Sequence, residues 1–137
     1  MNYLLDTNAC IALINGRPTS VRTQFQRAVR EGSEFFVSSV TAFELWYGVG
    51  KSTKREFNKQ RLDTFFSGPI QLLPFENEDA VVGGGIRAEL EVSGKPIGAY
   101  DVLIAAQAVG RKLTVVTANT AEFGRIKTLS WANWAKL

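Results

Sequence analysis

Two aspartates stand where a parallel sheet would hold a reaction centre. Asp6 follows a strand predicted over residues 2–5, and Asp101 heads a helix that leads into a strand predicted over residues 113–117. Ligands of open parallel sheets bind outside the carboxyl ends of the strands, so both carboxylates are expected near that edge. An aspartate between a strand and a helix is also a common helix N-cap. Each aspartate is therefore either a site residue or a cap.

A glutamate on one of the predicted helices has no evident structural role. Glu44 lies on a helix over residues 40–49, where it shares an apolar face with Phe43 and Tyr47. An ionised glutamate on an apolar face is costly unless a partner neutralises it. The position indicates either a functional site or an ion pair at the rim of the helix, with Lys51 or an arginine.

The residue types that are missing restrict the chemistry further. The chain has no histidine and a single cysteine, Cys10. This excludes His-based acid–base catalysis, Ser–His and Cys–His nucleophile pairs, and His-ligated zinc or iron. Carboxylates gathered at one sheet edge repel one another unless a cation holds them, and an all-oxygen ligand set suits Mg²⁺ or Mn²⁺. Asp6, Glu44 and Asp101 are therefore the candidate metal ligands.

The elements that must position these side chains follow from hydrophobic patterning. Strands are predicted over residues 2–5, 34–38, 70–73 and 113–117, with a fifth over residues 128–130. Helices are predicted over residues 9–14, 19–30, 40–49, 54–66, 76–92 and 100–110. This alternation is typical of an α/β fold with a mainly parallel sheet of four to five strands flanked by helices. A length of 137 residues with 45% hydrophobic content predicts one domain over residues 1–137.

Two helical segments carry more specific expectations. The helix over residues 54–66 is predicted to begin after a cap at Ser52 or Thr53 and to bury Phe57 on its inner side. Three consecutive glycines at residues 83–85 lie inside another predicted helix, where each costs up to about 1 kcal/mol relative to alanine. They follow no strand and open no helix, so they indicate close helix packing or a kink rather than a phosphate-binding loop.

Composition also bears on location and partners. One cysteine cannot form an internal disulfide, and no apolar run approaches the ~20 residues that span a bilayer. The first strand begins too early to leave room for a signal peptide, so a cytoplasmic protein with no membrane contact is expected. A net charge of +3 permits a polyanionic partner without requiring one.

Basic residues cluster near the start of the helix over residues 54–66. The cluster comprises Lys51, Lys54, Arg55, Lys59 and Arg61. Lys51, Lys54 and Arg55 are candidate contacts for substrate phosphates, which would supply affinity without sequence choice. The structural alternative is a solvated helix face.

Four segments in chain order resemble the motifs of the PIN domain. They are residues 3–8 (YLLDTN), 38–45 (SSVTAFEL), 97–108 (IGAYDVLIAAQA) and 116–119 (VTAN). More narrowly, they resemble the VapC-type ribonuclease toxins of bacterial toxin–antitoxin modules. The resemblance covers essentially the whole chain, down to Trp134. It implies a metal-dependent endoribonuclease in which Mg²⁺ or Mn²⁺ activates water for attack on phosphorus.

The family's acidic positions fall on Asp6, Glu44 and Asp101, which the resemblance implies as metal-binding and catalytic residues. The fourth catalytic position is aspartate in many PIN domains and is Asn119 here, so it keeps a carbonyl oxygen but lacks the charge. Glu122, one helical turn further on, is expected to compensate in part.

Two hydroxyl residues complete the implied site. Thr7 and Thr117 are expected beside the carboxylates as hydrogen-bond donors that do not touch the metal.

The resemblance also implies partners. An RNA substrate, with tRNA among the candidates, a small VapB-type antitoxin and a homodimer are expected, with operator DNA bound only through the antitoxin complex. The helices over residues 40–49 and 54–66 carry more large apolar side chains than one core can hide. A groove between them would accept an amphipathic antitoxin helix, with Trp46 and Tyr47 as candidate contacts.

Three other functions fit less of the sequence. A phosphoacceptor signalling domain requires an aspartate after its central strand and a lysine after a later one, and this chain has neither. PIN nucleases that cut DNA flaps are usually larger and more acidic. A catalytically weak PIN-like scaffold that binds RNA or protein stays the alternative, because Asn119 lacks the charge of an aspartate.

Overall fold

The computed structural model describes residues 1–136 and contains a five-stranded sheet. Its strands are β1 (Asn2–Leu5), β2 (Glu34–Ser38), β3 (Gln71–Leu73), β4 (Thr114–Val116) and β5 (Ser130–Ala132). They lie in the order β3-β2-β1-β4-β5, and every neighbouring pair is parallel. The predicted α/β fold is confirmed, with five strands.

Seven helices connect these strands within residues 1–136. They are α1 (Thr7–Asn15), α2 (Thr19–Arg30), α3 (Ser39–Lys51), α4 (Arg55–Phe66), α5 (Asn77–Val92), α6 (Ala99–Arg111) and α7 (Thr120–Phe123). The single-turn α7 was not predicted, because four residues carry no helical periodicity. No helix among these residues is both long and apolar enough to cross a membrane.

The strand order creates a switch point beside β1. The chain adds β2 and β3 on one side of β1, then crosses to add β4 and β5 on the other. Leu5 and Val116 are register partners at the carboxyl ends of β1 and β4, and the Asp6 amide donates to the Val116 carbonyl at 3.1 Å. Ligands of such sheets bind in the crevice outside a switch point, which is where the chain leaves β1 through Asp6.

Alternation along the strands builds a hydrophobic core on each face of the sheet. Leu5 and Val116 belong to one core with α1 and α2, whereas Leu4 and Val115 belong to the other with α5 and α6. Successive side chains of a strand point to opposite faces, so the two central strands anchor both layers. These two central strands, buried on both faces, therefore end at the switch point.

Three local predictions are corrected by the structure. Phe57 is 58% exposed, because it lies in the first turn of α4 with the Arg61 guanidinium 5.5 Å from its ring, while Leu62 fills the core. Ser52 ends α3 instead of capping α4, since its amide and hydroxyl both donate to the Val49 carbonyl. β5 begins only at residue 130, because Leu129 closes a turn onto Ile126 and packs in the core.

The triple glycine lies within an unbroken α5. A Cβ added at Gly83 would meet the Cβ of Ala106 on α6 at 3.2 Å, tighter than ordinary side-chain contact. Gly84 and Gly85 have open space around them. Close helix packing is confirmed at the first of the three glycines, and it holds α6 against α5.

Candidate active site

Asp6 is both a helix cap and the carboxylate nearest the switch point. Its Oδ1 accepts the Ala9 amide at 2.8 Å, so it caps α1, and the residue is only 4% exposed. Burial raises the pKa of Asp6 above its ordinary value, and the charge of Glu44 adds to the increase. Hydrogen bonds from the Thr117 side chain and the Ala9 amide oppose it. A helix cap does not need to be buried near a second carboxylate, so capping alone does not explain why Asp6 is buried near Glu44.

Glu44 reaches the same region from α3. Its Oε1 accepts the Thr7 hydroxyl at 2.7 Å, one residue beyond Asp6. The prediction that Glu44 lies on the apolar, core-facing side of α3 is wrong, because the buried residues of this helix are Thr41 and Leu45. Phe43 and Tyr47, which share the Glu44 stripe, are exposed instead. Glu44 is therefore half-buried at the boundary between the core face and the open face of α3.

The ion pair considered for Glu44 does not form. The Lys51 ammonium lies over the Tyr47 ring, 4.9 Å from its centroid, and no salt bridge of the described residues involves Glu44.

Asp101 does not cap α6, since Gly98 is the N-cap and Asp101 lies in the first turn. Its Oδ2 accepts the Asn119 side-chain amide at 3.1 Å. The pKa of Asp101 is raised to about 6, first by burial and then by the charges of Glu122, Asp6 and Glu44. The carboxylates of Asp6, Glu44 and Glu122 are therefore near enough to act on that of Asp101.

Asn119 bridges two carboxylates. Its amide nitrogen donates to Asp101 at 3.1 Å and to Glu122 at 2.7 Å, and its backbone amide donates to the Thr117 hydroxyl. Glu122 also accepts the Gly98 amide at 2.7 Å. Hydrogen bonds from Asn119 and Gly98 hold the pKa of Glu122 below its ordinary value. A neutral amide thus separates Glu122 from Asp101.

The side chains present fit a hard divalent cation in their chemistry. Asp6, Glu44 and Asp101 offer only oxygen donors, and the repulsion that raises the pKa of Asp101 is what a cation would relieve. Within residues 1–136, no three acidic side chains converge tightly enough to form a ready-made ligand cluster. A bound cation would therefore have to draw these carboxylates together.

The structure divides the predicted basic cluster. Lys59 pairs with Asp63 at 3.2 Å, and Arg61 donates to the Ile14 carbonyl and to the Asn15 side chain. Both cations are therefore paired with other groups of the protein, Lys59 through an exposed ion pair within α4. Lys51, Lys54 and Arg55 are exposed where α3 ends and α4 begins.

A groove of about 290 Å³ lies between α1, α3 and α4, with Glu44 in its lining. Its walls include Ile11, Ile14, Leu45 and Val49. Neither Trp46 nor Tyr47 lines it, although both are exposed on α3.

An aromatic pair beside the carboxylates was not anticipated from the sequence. Phe43 and Tyr100, each adjacent in the chain to a candidate ligand, meet edge to face with ring centroids 6.1 Å apart. Both rings are exposed. The sequence shows only that each ring is next to a candidate ligand, Glu44 or Asp101. The contact between the rings depends on the packing of α3 beside α6, which sequence pattern does not report.

The chain matches the PIN domain family over residues 3–129. It is 39% identical over 136 residues to the ribonuclease VapC2 of Rickettsia felis, which covers 99% of this chain and 100% of that protein. It is 40% identical over 135 residues to the tRNA(fMet)-specific endonuclease VapC of Shigella flexneri, which covers 98% of this chain and 99% of that protein.

A solved structure shows the same relationship in three dimensions. The crystal structure of VapBC2 from Rickettsia felis, bound to a DNA fragment from its promoter, contains a chain that matches with a TM-score of 0.91. The sequence identity is 38%, and the match covers 98% of this chain and 99% of that one. The chain therefore belongs to the PIN domain family and, within it, to the VapC ribonucleases.

Proposed function

We propose that this protein is a divalent-metal-dependent endoribonuclease in which Asp6, Glu44 and Asp101 hold Mg²⁺ or Mn²⁺. Membership of the VapC ribonucleases makes the chain an RNA-cleaving hydrolase. The observation that carries the metal proposal is that Asp6, Glu44 and Asp101 lie close enough for the charges of Asp6 and Glu44 to raise the pKa of Asp101, in addition to burial. Within residues 1–136, no salt bridge offsets the charge of these three carboxylates.

Neighbouring polar side chains would orient the carboxylates through hydrogen bonds. Thr7 orients Glu44 through its hydroxyl, and the Thr117 side chain favours the ionised form of Asp6 by lowering its pKa. The Asn119 side-chain amide donates to one oxygen of Asp101 and also to Glu122, so it holds both carboxylates. A bound cation supplies Lewis acidity, which activates water and neutralises charge on the phosphodiester.

The proposed substrate is RNA, and tRNA(fMet) is the first candidate because a relative that is 40% identical is specific for it. Lys51, Lys54 and Arg55 would attract the phosphate backbone without choosing a sequence. The exposed rings of Phe43 and Tyr100 beside the carboxylates would stack unpaired bases. A tRNA substrate and a buried free thiol at Cys10 both suit the cytoplasm.

The proposed setting is a VapBC-type toxin–antitoxin module. The apolar groove between α3 and α4 would take an antitoxin helix, and a basic side chain of that helix would pair with Glu44 and compete with the metal. Trp46 and Tyr47 lie outside the groove, so they would contact a different part of the antitoxin or a second copy of the chain in a homodimer. Operator DNA would be bound through the antitoxin.

Purified protein incubated with total RNA tests this proposal. Cleavage is expected with Mg²⁺ or Mn²⁺ and not in excess EDTA, and sequencing of the cut ends identifies the RNA. Asp101→Asn should be inactive, whereas Asp63→Asn, the same change at an exposed position on α4, should be fully active. Normal cleavage in EDTA or by Asp101→Asn would contradict the metal proposal. The scaffold alternative is not favoured, because the relatives are ribonucleases.

A further inference from the structure

The segment that follows β4 holds the part of the chain that leads into α6. Arg125 is exposed, and its Nη1 donates to the Pro96 carbonyl at 2.7 Å. Glu122, three residues earlier, accepts the Gly98 amide at 2.7 Å. We propose that Arg125 is a positioning residue of the active site, which acts on Asp101 by holding the residues before α6 in place. This inference rests on the proposed function and extends it to a residue outside the group of carboxylates.

The contact made by Arg125 is the last of three that are evenly spaced. Three side chains of one segment bond to three residues of the other in reverse chain order: Asn119 to Asp101, Glu122 to Gly98 and Arg125 to Pro96. Residues three apart are neighbours on one side of a helix. The single turn of α7 supplies this geometry, and it continues through the bond from the Arg125 amide to the Glu122 carbonyl at 3.0 Å.

The residues before α6 depend on these contacts. Among the hydrogen bonds of residues 1–136, those that reach residues 96–98 from another element come from Glu122 and Arg125. Gly98 is the N-cap of α6 and has no side chain that could bond to the helix. Ile97 is half-buried against the core, but its neighbours on both sides are exposed. The start of α6 is therefore fixed from the α7 side.

The position of Asp101 follows from where α6 begins. Asp101 lies three residues after Gly98, in the first turn of the helix. A shift of this turn would move its carboxylate relative to Asp6 and Glu44, which belong to other parts of the fold. Groups that act together in a site must be held within about 0.5 Å of their working geometry. Loss of the Arg125 contact should therefore weaken a metal site without removing any ligand.

Arg125 also contributes a positive charge. Hydrogen bonds from Asn119 and Gly98 hold the pKa of Glu122 below its ordinary value, and the charge of Arg125 acts in the same direction. The ionised form of Glu122 is the one that accepts both bonds. A lysine in place of Arg125 would keep the charge and one donor for the Pro96 carbonyl.

Binding of Mn²⁺ to the purified protein, measured by electron paramagnetic resonance, tests this role without cleavage. Arg125→Ala should weaken Mn²⁺ binding about threefold to tenfold, less than the roughly 10–100-fold typical of residues that bond directly to a metal ligand. Arg125→Lys should restore most of the affinity. Lys127→Ala removes an exposed cation from the same segment and should have no effect.

Amide hydrogen exchange in EDTA tests the same contact without metal. The Gly98 amide should exchange faster in Arg125→Ala than in the unchanged protein, and Arg125→Lys should slow it again. The Val115 amide, in the buried strand β4, should keep its rate in both variants. If the unchanged protein binds no Mn²⁺, the metal proposal fails, and the exchange rates still decide the role of Arg125.

RNA cleavage separates positioning from substrate binding. In Arg125→Ala, the Mn²⁺ concentration for half-maximal cleavage should rise by the same factor as the dissociation constant for Mn²⁺, and the KM for RNA should not change. A raised KM with normal Mn²⁺ binding would show that Arg125 contacts RNA instead. Unchanged exchange at Gly98, or equal acceleration at Gly98 and Val115, would show that Arg125 does not hold this segment. Each of these results would overturn the assignment.

Discussion

Two aspartates occupy equivalent places on two helices that pack together, yet their surroundings are opposite. Asp79 and Asp101 are each the third residue of their helix, α5 and α6. Asp79 is almost fully buried and accepts two bonds from the Arg111 guanidinium, at 2.9 and 3.2 Å, and a third from the Glu76 amide. Asp101 receives only the neutral amide of Asn119 among the hydrogen bonds of the described residues, and it faces three other carboxylates.

The pKa directions express this difference. Burial acts against ionisation of Asp79, but the hydrogen bonds from Arg111 and Glu76 outweigh it and hold the pKa of Asp79 below its ordinary value. At Asp101, burial and negative neighbours act together, and the pKa rises to about 6. Among residues 1–136, a cation pairs with the carboxylate that serves the fold, and no salt bridge involves the carboxylates at the switch point. A carboxylate whose pKa is raised by burial and by neighbouring negative charges is typical of functional sites.

The largest expected effect is on catalysis. Asp101→Asn should lower the rate of RNA cleavage by more than about 100-fold, beyond the 10–100-fold typical of residues that only support a metal ligand. The reason is the loss of a charged oxygen donor to the cation. The free energy of unfolding without metal should not fall, since the change removes like-charge repulsion. The rate comes from single-turnover cleavage, and the free energy from urea unfolding in EDTA.

The same substitution at the other aspartate should have the reverse outcome. Asp79→Asn should lower the free energy of unfolding by about 1–3 kcal/mol, because Arg111 loses its charged partner. The loss is smaller than for a fully buried pair, since the Arg111 side chain is 34% exposed and stays partly hydrated. Cleavage well below the melting temperature should be close to normal. An Asp79→Asn protein that is stable but inactive would remove the contrast between the two sites.

Asn119 tests whether a missing charge limits the site. Asn119→Asp should lower the Mg²⁺ concentration for half-maximal cleavage severalfold, because it adds a charged oxygen beside Asp101 and Glu122. Without metal the same variant should be less stable, since a bridging donor becomes a repelling acceptor. Asn119→Ala removes the bridge without adding charge and serves as the control. An unchanged Mg²⁺ requirement in Asn119→Asp would place this residue outside the metal's reach.

The parts of the fold that could be predicted from the sequence are those governed by local pattern. Asp6 follows a short apolar strand, and Asp101 heads an apolar helix, so their placement at one edge follows from parallel strand order. The placement of Glu44 was predicted for the wrong reason. Helical periodicity groups it with Phe43 and Tyr47, but which stripe of α3 is buried depends on how α1 and α4 pack against it.

Other features depend on contacts that are distant in the chain. A cavity of about 180 Å³ forms only because Asn133 and Trp134, after β5, lie against α1, more than 100 residues earlier in the chain. Phe57 has an ordinary apolar pattern and is nevertheless exposed, because the α4 core position is taken by Leu62. Hydrophobic periodicity reports the presence of an apolar face and not its neighbours.

The smallest expected effect is a pH dependence of stability, and the two aspartates should give it opposite signs. The folded-state pKa of Asp101 is about 6, above the ordinary value of 3.8, so the folded state binds the proton more tightly. Its contribution to stability is fully present below pH 3.8 and is lost as pH rises through about 6. Asp79 has a lowered pKa, so its contribution is present above its ordinary pKa and is lost only in stronger acid.

Metal-free protein should therefore melt at a higher temperature at about pH 5 than near pH 7, because the pKa of Asp101, about 6, lies between these two pH values. The chain has no histidine, so few other groups change charge in this interval, and the raised pKa of Asp6 acts in the same direction. Asp101→Asn should flatten the dependence, whereas Asp79→Asn should leave it in place. Excess Mg²⁺ should reverse it, because the cation binds the ionised carboxylates. A melting temperature in EDTA that rises with pH across this range would show that Asp101 is ionised without a cation, and the contrast with Asp79 would be lost.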